Sequence, residues 1–140
     1  MPHQLPIEHF NAIATRISAC AQAVRDSLGE GRPVDEYEAA LERALRADRL
    51  QFARQYPFGV PLDRTPGVGF YADFVVEGWI LLELKAVPAL TSEHTGQARQ
   101  YLRQSGCRLC LLINFGTQQV EVQHLLPSGA RSRPTRNAAC

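Results

Sequence analysis

Three residues in one short stretch have the types and spacing to act together on a phosphodiester: Asp73, Glu83 and Lys85. Glu83 and Lys85 stand two apart in the otherwise apolar run from Trp79 to Val87. In an extended strand alternate side chains share a face. Trp79, Leu81, Glu83, Lys85 and Val87 therefore point one way, and Ile80, Leu82, Leu84 and Ala86 the other. So apolar a strand is expected to be buried on both sides, where a charge is costly unless it pairs or holds an ion. Asp73 is an acid in the middle of the preceding apolar run, between Ala72 and Phe74. Two carboxylates on neighbouring strands suit a hard divalent cation, Mg2+ or Mn2+, with the Leu84 carbonyl as a further oxygen ligand. Such a cation polarises a phosphate and lowers the pKa of a bound water. A lysine beside that water can orient or deprotonate it and offset charge in the transition state. The competing reading is a salt-bridge cluster, because Glu-x-Lys on a strand is by itself a common pattern.

The cation reading carries a condition on register. Directly opposed residues of an antiparallel pair share a face. A two-residue turn at Glu77-Gly78 would pair Val76 with Trp79 and put Asp73 opposite Leu82, with Glu83 on the other face. Sharing a cation requires an odd-length loop, such as Glu77-Gly78-Trp79, or a bulge. Gly78 can supply the left-handed residue that a three-residue loop needs. Asp73 is then expected opposite or diagonal to Glu83, both on the side facing the second helix and Glu38.

The elements around this hairpin follow from periodicity. Ile7, Phe10, Ala14, Ile17, Ala21, Val24 and Leu28 recur at steps of three and four, which predicts a helix with one buried stripe. Gly29, Gly31 and Pro33 end it. A second helix starts near Val34, with Tyr37, Leu41, Ala44 and Leu45 as its stripe, and stops around Asp48. Phe52 to Leu62, broken by Pro57 and Pro61, reads as an edge strand, and Thr65-Pro66-Gly67 as a turn. Strands are predicted over Val68–Val76, Ile80–Val87, Cys107–Phe115 and Val120–Leu126. Between the second and third of these a helix capped at Thr91 or Ser92 runs to Ser105 and is closed by Gly106. The fold class is α/β (α+β), a mixed central sheet flanked by helices.

With 140 residues the chain is expected to be one domain, residues 1–127, followed by a basic, disordered tail over 128–140 that carries Arg131, Arg133 and Arg136 and no acid. A net charge of +1 excludes a bulk polycation, so nucleic-acid binding must rest on a site. Cys107 and Cys110 form a C-x-x-C, but no second Cys/His pair at ligand spacing follows. Within one strand they would point to opposite faces, as buried free thiols in a reducing compartment. No signal peptide or membrane-length apolar run is visible, which points to a cytoplasmic protein without a membrane partner.

The segments Ala72-Asp73-Phe74-Val75-Val76-Glu77 and Ile80-Leu81-Leu82-Glu83-Leu84-Lys85-Ala86-Val87 resemble the Asp and Glu-x-Lys motifs of PD-(D/E)XK nucleases. More narrowly, with His94, Gln97, Tyr101-Leu102 and Leu111-Leu112-Ile113-Asn114-Phe115-Gly116 following in order, the chain is similar to the bacterial GxxExxY protein family over Leu28 to Leu126. The resemblance implies a restriction-endonuclease-like core and metal-dependent hydrolysis of phosphodiester bonds in DNA. In the name-giving motif Gly31 and Tyr37 fit, but Val34 stands where an acid is expected. Glu38, one turn on, shares that face and is the candidate substitute ligand, whereas Glu36 points elsewhere. Glu36 and Glu38 as plain solvated helix acids is the competing reading. Gln97 and Tyr101, at i and i+4, with His94 one turn earlier, resemble a motif by which related nucleases touch DNA or the site. Arg99 continues toward phosphates, with Arg103 beyond it. The expected sites are catalytic Asp73, Glu83, Lys85 and Gln97, metal-binding Asp73, Glu83, Leu84 and Glu38, and substrate-binding Gln97, Tyr101, His94 and Arg99. The expected partner is DNA of unspecified form, with homodimerisation left open. The alternative function, which Val34 favours, is a catalytically weakened nuclease fold that binds nucleic acid or protein.

Overall fold

The structure, a computed structural model, describes residues 6–58 and 70–127, with Phe58 and Phe70 described by backbone alone. The expected Thr65-Pro66-Gly67 turn, the far ends of the two strands flanking it, the tail over 128–140 and Cys140 lie outside the described residues.

Helix α1 (Ile7–Leu28) buries Phe10, Ile13, Ala14, Ile17, Ala21 and Val24, the stripe its periodicity predicts from Phe10 on, while Ile7 at its first turn is exposed. Arg25 ends that stripe and is itself buried. Its Nε donates to the Phe115 carbonyl at 3.2 Å and an Nη to the Thr117 carbonyl at 3.0 Å, so the guanidinium is satisfied by backbone. Helix α2 (Val34–Ala47) starts after Pro33, whose fixed φ suits the extended residue ahead of a helix. It buries Tyr37, Leu41 and Leu45. The Tyr37 ring stacks on Phe115 at 4.7 Å and 3°. Its hydroxyl donates to the Gly29 carbonyl at 2.6 Å and accepts from the Arg32 N–H at 3.2 Å. Tyr37 thus fastens the α1–α2 connection to the sheet.

The sheet runs β1 (Phe52–Phe58), β2 (Phe70–Val76), β3 (Ile80–Lys85), β4 (Leu109–Asn114) and β5 (Glu121–Leu125), neighbours in space in that same order. β1–β2, β2–β3 and β4–β5 are antiparallel; β3–β4 is parallel, bridged by α3 (Ser92–Ser105). A parallel pair needs such a crossover, because a tight turn can only reverse the chain. β1 lies on an edge, where Pro57 lacks a ladder N–H without penalty. The architecture, among the described residues, is a mixed five-stranded α+β sheet with three helices, the fold class expected.

The sheet divides the interior. On one face α1 and α2 pack against Phe74, Val76, Ile80, Leu82, Leu84, Leu111 and Ile113. On the other, α3 contributes Ala98 and Leu102 to a smaller cluster with Val75, Leu81, Cys110 and Leu112. Each large aliphatic side chain so buried contributes about 1.5–3 kcal/mol. β3 and β4, central in the sheet, are therefore apolar on both sides, as a doubly covered strand requires.

Two boundaries differ from expectation. β4 begins at Leu109, so Cys107 precedes the strand, and both thiols join the α3-side cluster instead of facing apart. Gly106 in the left-handed conformation and the Ser105 hydroxyl, which accepts from the Cys107 N–H at 3.0 Å, turn the chain there. Both cysteines are buried and free, with burial raising their pKa, as inert thiols. β3 stops at Lys85 instead of Val87 because the Asn114 side chain takes over the pairing. Asn114 Oδ1 accepts from the Val87 N–H at 3.0 Å, and Nδ2 donates to the Val87 carbonyl at 3.0 Å.

Candidate active site

The β2–β3 connection sets the site. Val76 pairs with Ile80, Val75 with Leu81 and Phe74 with Leu82, leaving Glu77-Gly78-Trp79 as a three-residue loop. Glu77 at φ 55° and Gly78 at φ 76° supply its left-handed residues. One step further along this register Asp73 comes level with Glu83, as the odd-length loop requires. Beyond Leu82 the strands exchange side-chain bonds for ladder bonds. Asp73 Oδ2 accepts from the Leu84 N–H at 2.8 Å, and the Glu83 carboxylate accepts from the Asp73 backbone N–H.

The face differs from expectation. Leu82 and Leu84 pack on the α1/α2 side and Leu81 on the α3 side, so Glu83, two residues after Leu81, shares the α3 face. At Asp73 the alternation slips: Ala72 and Val75 both belong to the α3-side cluster, while Phe74 and Val76 belong to the other. The facing position on β1 is Gln55, flanked by the Arg54–Phe74 and Tyr56–Ala72 pairs, and it stands at φ 51°. Both strands are thus kinked at the level of the acid.

Burial dominates the electrostatics. It raises the Asp73 pKa, with Leu84 N–H pulling it down and the Glu38 charge pushing it up. Burial and the neighbouring Asp73 carboxylate push Glu83 up to about 8, against the opposing pull of Lys85. Glu83 Oε2 is buried with no hydrogen-bond partner among the described residues. A buried carboxylate oxygen left bare costs about 1–3 kcal/mol or more, and such groups call for an ion, a water or a substrate.

Glu38 is 8% exposed, so it is no solvated helix acid. Its Oε2 accepts from Gln55 Nε2 at 2.7 Å and faces an Arg54 Nη at 3.4 Å. Arg54 also holds Glu42 at 2.7 Å. Glu36 is exposed and paired with Arg32, and Val34 is exposed at the start of α2. Among the described residues no three His, Cys, Asp or Glu side chains stand close enough to hold a metal by themselves. Asp73 and Glu83 form a pair, with Glu38 apart from them and acting through its charge. Hard oxygen donors, mutual repulsion and the bare Oε2 fit a divalent cation whose remaining ligands are backbone carbonyl, water or phosphate.

From the other layer, Tyr101 on α3 is half-buried, and burial, Glu83 and then Asp73 raise its pKa. The phenol is therefore close enough to feel both carboxylates. Gln97, one turn earlier on the same helix, and Arg99 are exposed. His94 has a local task that the sequence reading missed. Its Nδ1 accepts from the Thr91 N–H at 3.0 Å while Thr91 Oγ1 accepts from the His94 N–H at 3.3 Å, a reciprocal helix cap. Asn114, Arg54 and Gln55 were likewise missed as positioning groups. For Asn114 the signal was present, since an amide in an otherwise apolar strand must be satisfied inside. A cavity of about 510 Å3, lined by Ala53, Tyr56, Val75 and Cys107 among others, opens beside the β1–β2 pair and contains neither acid of the pair.

No curated protein matches the chain. A crystal structure of an alkaline exonuclease from Laribacter hongkongensis aligns with a TM-score of 0.42 at 17% identity, covering 84% of this chain and 72% of that one. Residues 11–125 match the family described as the PD-(D/E)XK nuclease superfamily, a span that includes Asp73 and the Glu83-Leu84-Lys85 tripeptide. The chain belongs to the PD-(D/E)XK nuclease superfamily.

Proposed function

We propose that the protein is a Mg2+- or Mn2+-dependent nuclease that hydrolyses phosphodiester bonds in DNA, of the GxxExxY type within its superfamily. The observation that carries this reading is the bare, buried Glu83 Oε2 beside Asp73, two oxygen donors set level by a three-residue loop. Asp73 and Glu83 would hold the cation, with the Leu84 carbonyl as a further ligand. The cation, when bound, supplies polarisation of the phosphate and acidification of a coordinated water.

The chain's own residues do the rest. The Leu84 N–H fixes the Asp73 carboxylate, and the Asp73 N–H fixes that of Glu83, so both are oriented before any ligand arrives. Lys85, two residues on along the same face, orients the water, helps remove its proton and offsets charge on the phosphorane-like transition state. Tyr101 and Gln97 line the α3 wall and meet the DNA strand, with Arg99 toward its phosphates. His94 keeps Nε2 for such a contact, since Nδ1 is spent on the cap. The free, buried thiols suit a reducing, cytoplasmic setting, and association of two copies is compatible with this site.

Cleavage of a panel of single-stranded, duplex and branched DNA with Mg2+ or Mn2+ tests the reading. Lys85→Ala is expected to lower the rate on the order of a hundredfold or more with the fold intact. Cleavage that persists in Lys85→Ala would place the chemistry elsewhere. Val34, exposed where the motif acid is expected, supports the second reading, a weakened nuclease that binds without cutting. Mn2+ binding without turnover on any substrate would favour it.

A further inference from the structure

We infer that Gln55 is a positioning residue that holds the Glu38 carboxylate toward the Asp73–Glu83 pair as an outer, third negative charge on the cation site. The inference rests on the metal reading above. Three observations carry it. Gln55 faces Asp73 across the β1–β2 ladder, between the Arg54–Phe74 and Tyr56–Ala72 pairs. It is one of three described non-glycine residues with positive φ, and unlike Arg49 and Glu77 it lies within a strand. Its amide donates to Glu38 Oε2 at 2.7 Å, closer than the Arg54 guanidinium at 3.4 Å.

A left-handed glutamine inside a strand is disfavoured and persists only where its surroundings over-determine it. The pairing register is the same on both sides of Gln55, so the kink there is matched by the slip in alternation at Asp73 opposite it. What the kink does is bring a side chain of an edge strand over to α2. Without that amide, Glu38 would be left to Arg54, which is already committed to Glu42 at 2.7 Å. The Glu38 charge bears on Asp73 and on Glu83 alike. Orienting this carboxylate would strengthen the field at the cation without adding a ligand, as outer-shell partners do in metal sites.

The test is Mn2+ calorimetry on the full chain at pH 8, for wild type, Gln55→Gly, Glu38→Gln and the double variant. Gln55→Gly removes the amide and suits the left-handed backbone. Gln55→Asn, which also tolerates that backbone and shortens the amide, keeps the test open if glycine loosens the strand. Either variant is expected to bind Mn2+ about 10–100-fold more weakly while melting no lower than wild type. In the Glu38→Gln background the same substitution should have no further effect, because the two residues act as one unit. Unchanged affinity in both Gln55 variants would overturn the inference and leave the metal reading standing. So would an equal loss with Glu38 already replaced, which would mean that Gln55 acts by another route. A wild-type chain that binds no Mn2+ removes the metal reading and this inference with it.

Discussion

At the scale of single residues, Glu83 governs how the metal-free protein responds to pH. Its folded pKa, about 8, lies above the ordinary 4.5 of a glutamate, so folding favours the protonated form. Below about pH 4.5 both states hold the proton and the residue is neutral to stability. As pH rises from there toward 8, the unfolded chain ionises first and the folded state loses ground, by up to about 1.4 kcal/mol per pH unit for one proton. Urea denaturation across this window should show that slope in wild type and not in Glu83→Gln. Mn2+ affinity should run the other way, climbing with pH until Glu83 has lost its proton, because binding must displace it. Asp73, Glu83 and Lys85 were legible in sequence because charges in apolar strands need a reason. The burial of Glu38 was not, because it depends on Arg54 and Gln55, which arrive from another element.

At the scale of elements, the hairpin register followed from chemistry: two acids that must share a face leave an odd loop as the simplest solution, and Val76 pairs with Ile80 accordingly. The face itself was misassigned, because strand parity says which residues travel together and not which helix covers them. The handover from β3 to Val87 was also invisible, since it is made by a side chain. That handover is testable. Asn114→Ala removes the bonds to both backbone groups of Val87 and the one that its Oδ1 accepts from the Gly116 N–H. A loss of about 2 kcal/mol or more in urea denaturation is expected, since buried partners are left unsatisfied. Gly116→Ala should destabilise as much or more, because its Cβ would lie 2.3 Å from the Val87 carbonyl oxygen, a backbone atom that cannot step aside. Wild-type stability in both variants would refute the account of this corner.

At the scale of the whole molecule, the site joins both layers. The acids on the β2–β3 hairpin feel the charge of Glu38 on α2, and their own charges raise the pKa of Tyr101 on α3. A cation bound there stabilises the folded chain by mass action, about 2.7 kcal/mol at a hundred times its Kd. Mn2+ should therefore raise the melting temperature of wild type by several degrees and leave Asp73→Asn unmoved; an equal rise in both would mean binding elsewhere. No described helix is long and apolar enough to cross a membrane. Alternation and periodicity revealed the layers, because each element's apolar pattern reports its own cover. The order of strands in space was not readable from pattern alone. The parallel β3–β4 pair also has a consequence for how the chain is made. β3 is buried on both faces and needs β4 on its flank, yet α3 lies between them in sequence. At about 5–20 residues per second during synthesis, β4 leaves the ribosome on the order of seconds after β3. For that interval Ile80–Lys85 is an apolar strand with one bare edge, so the nascent chain carries an exposed apolar edge just after the Glu83-Leu84-Lys85 tripeptide has emerged.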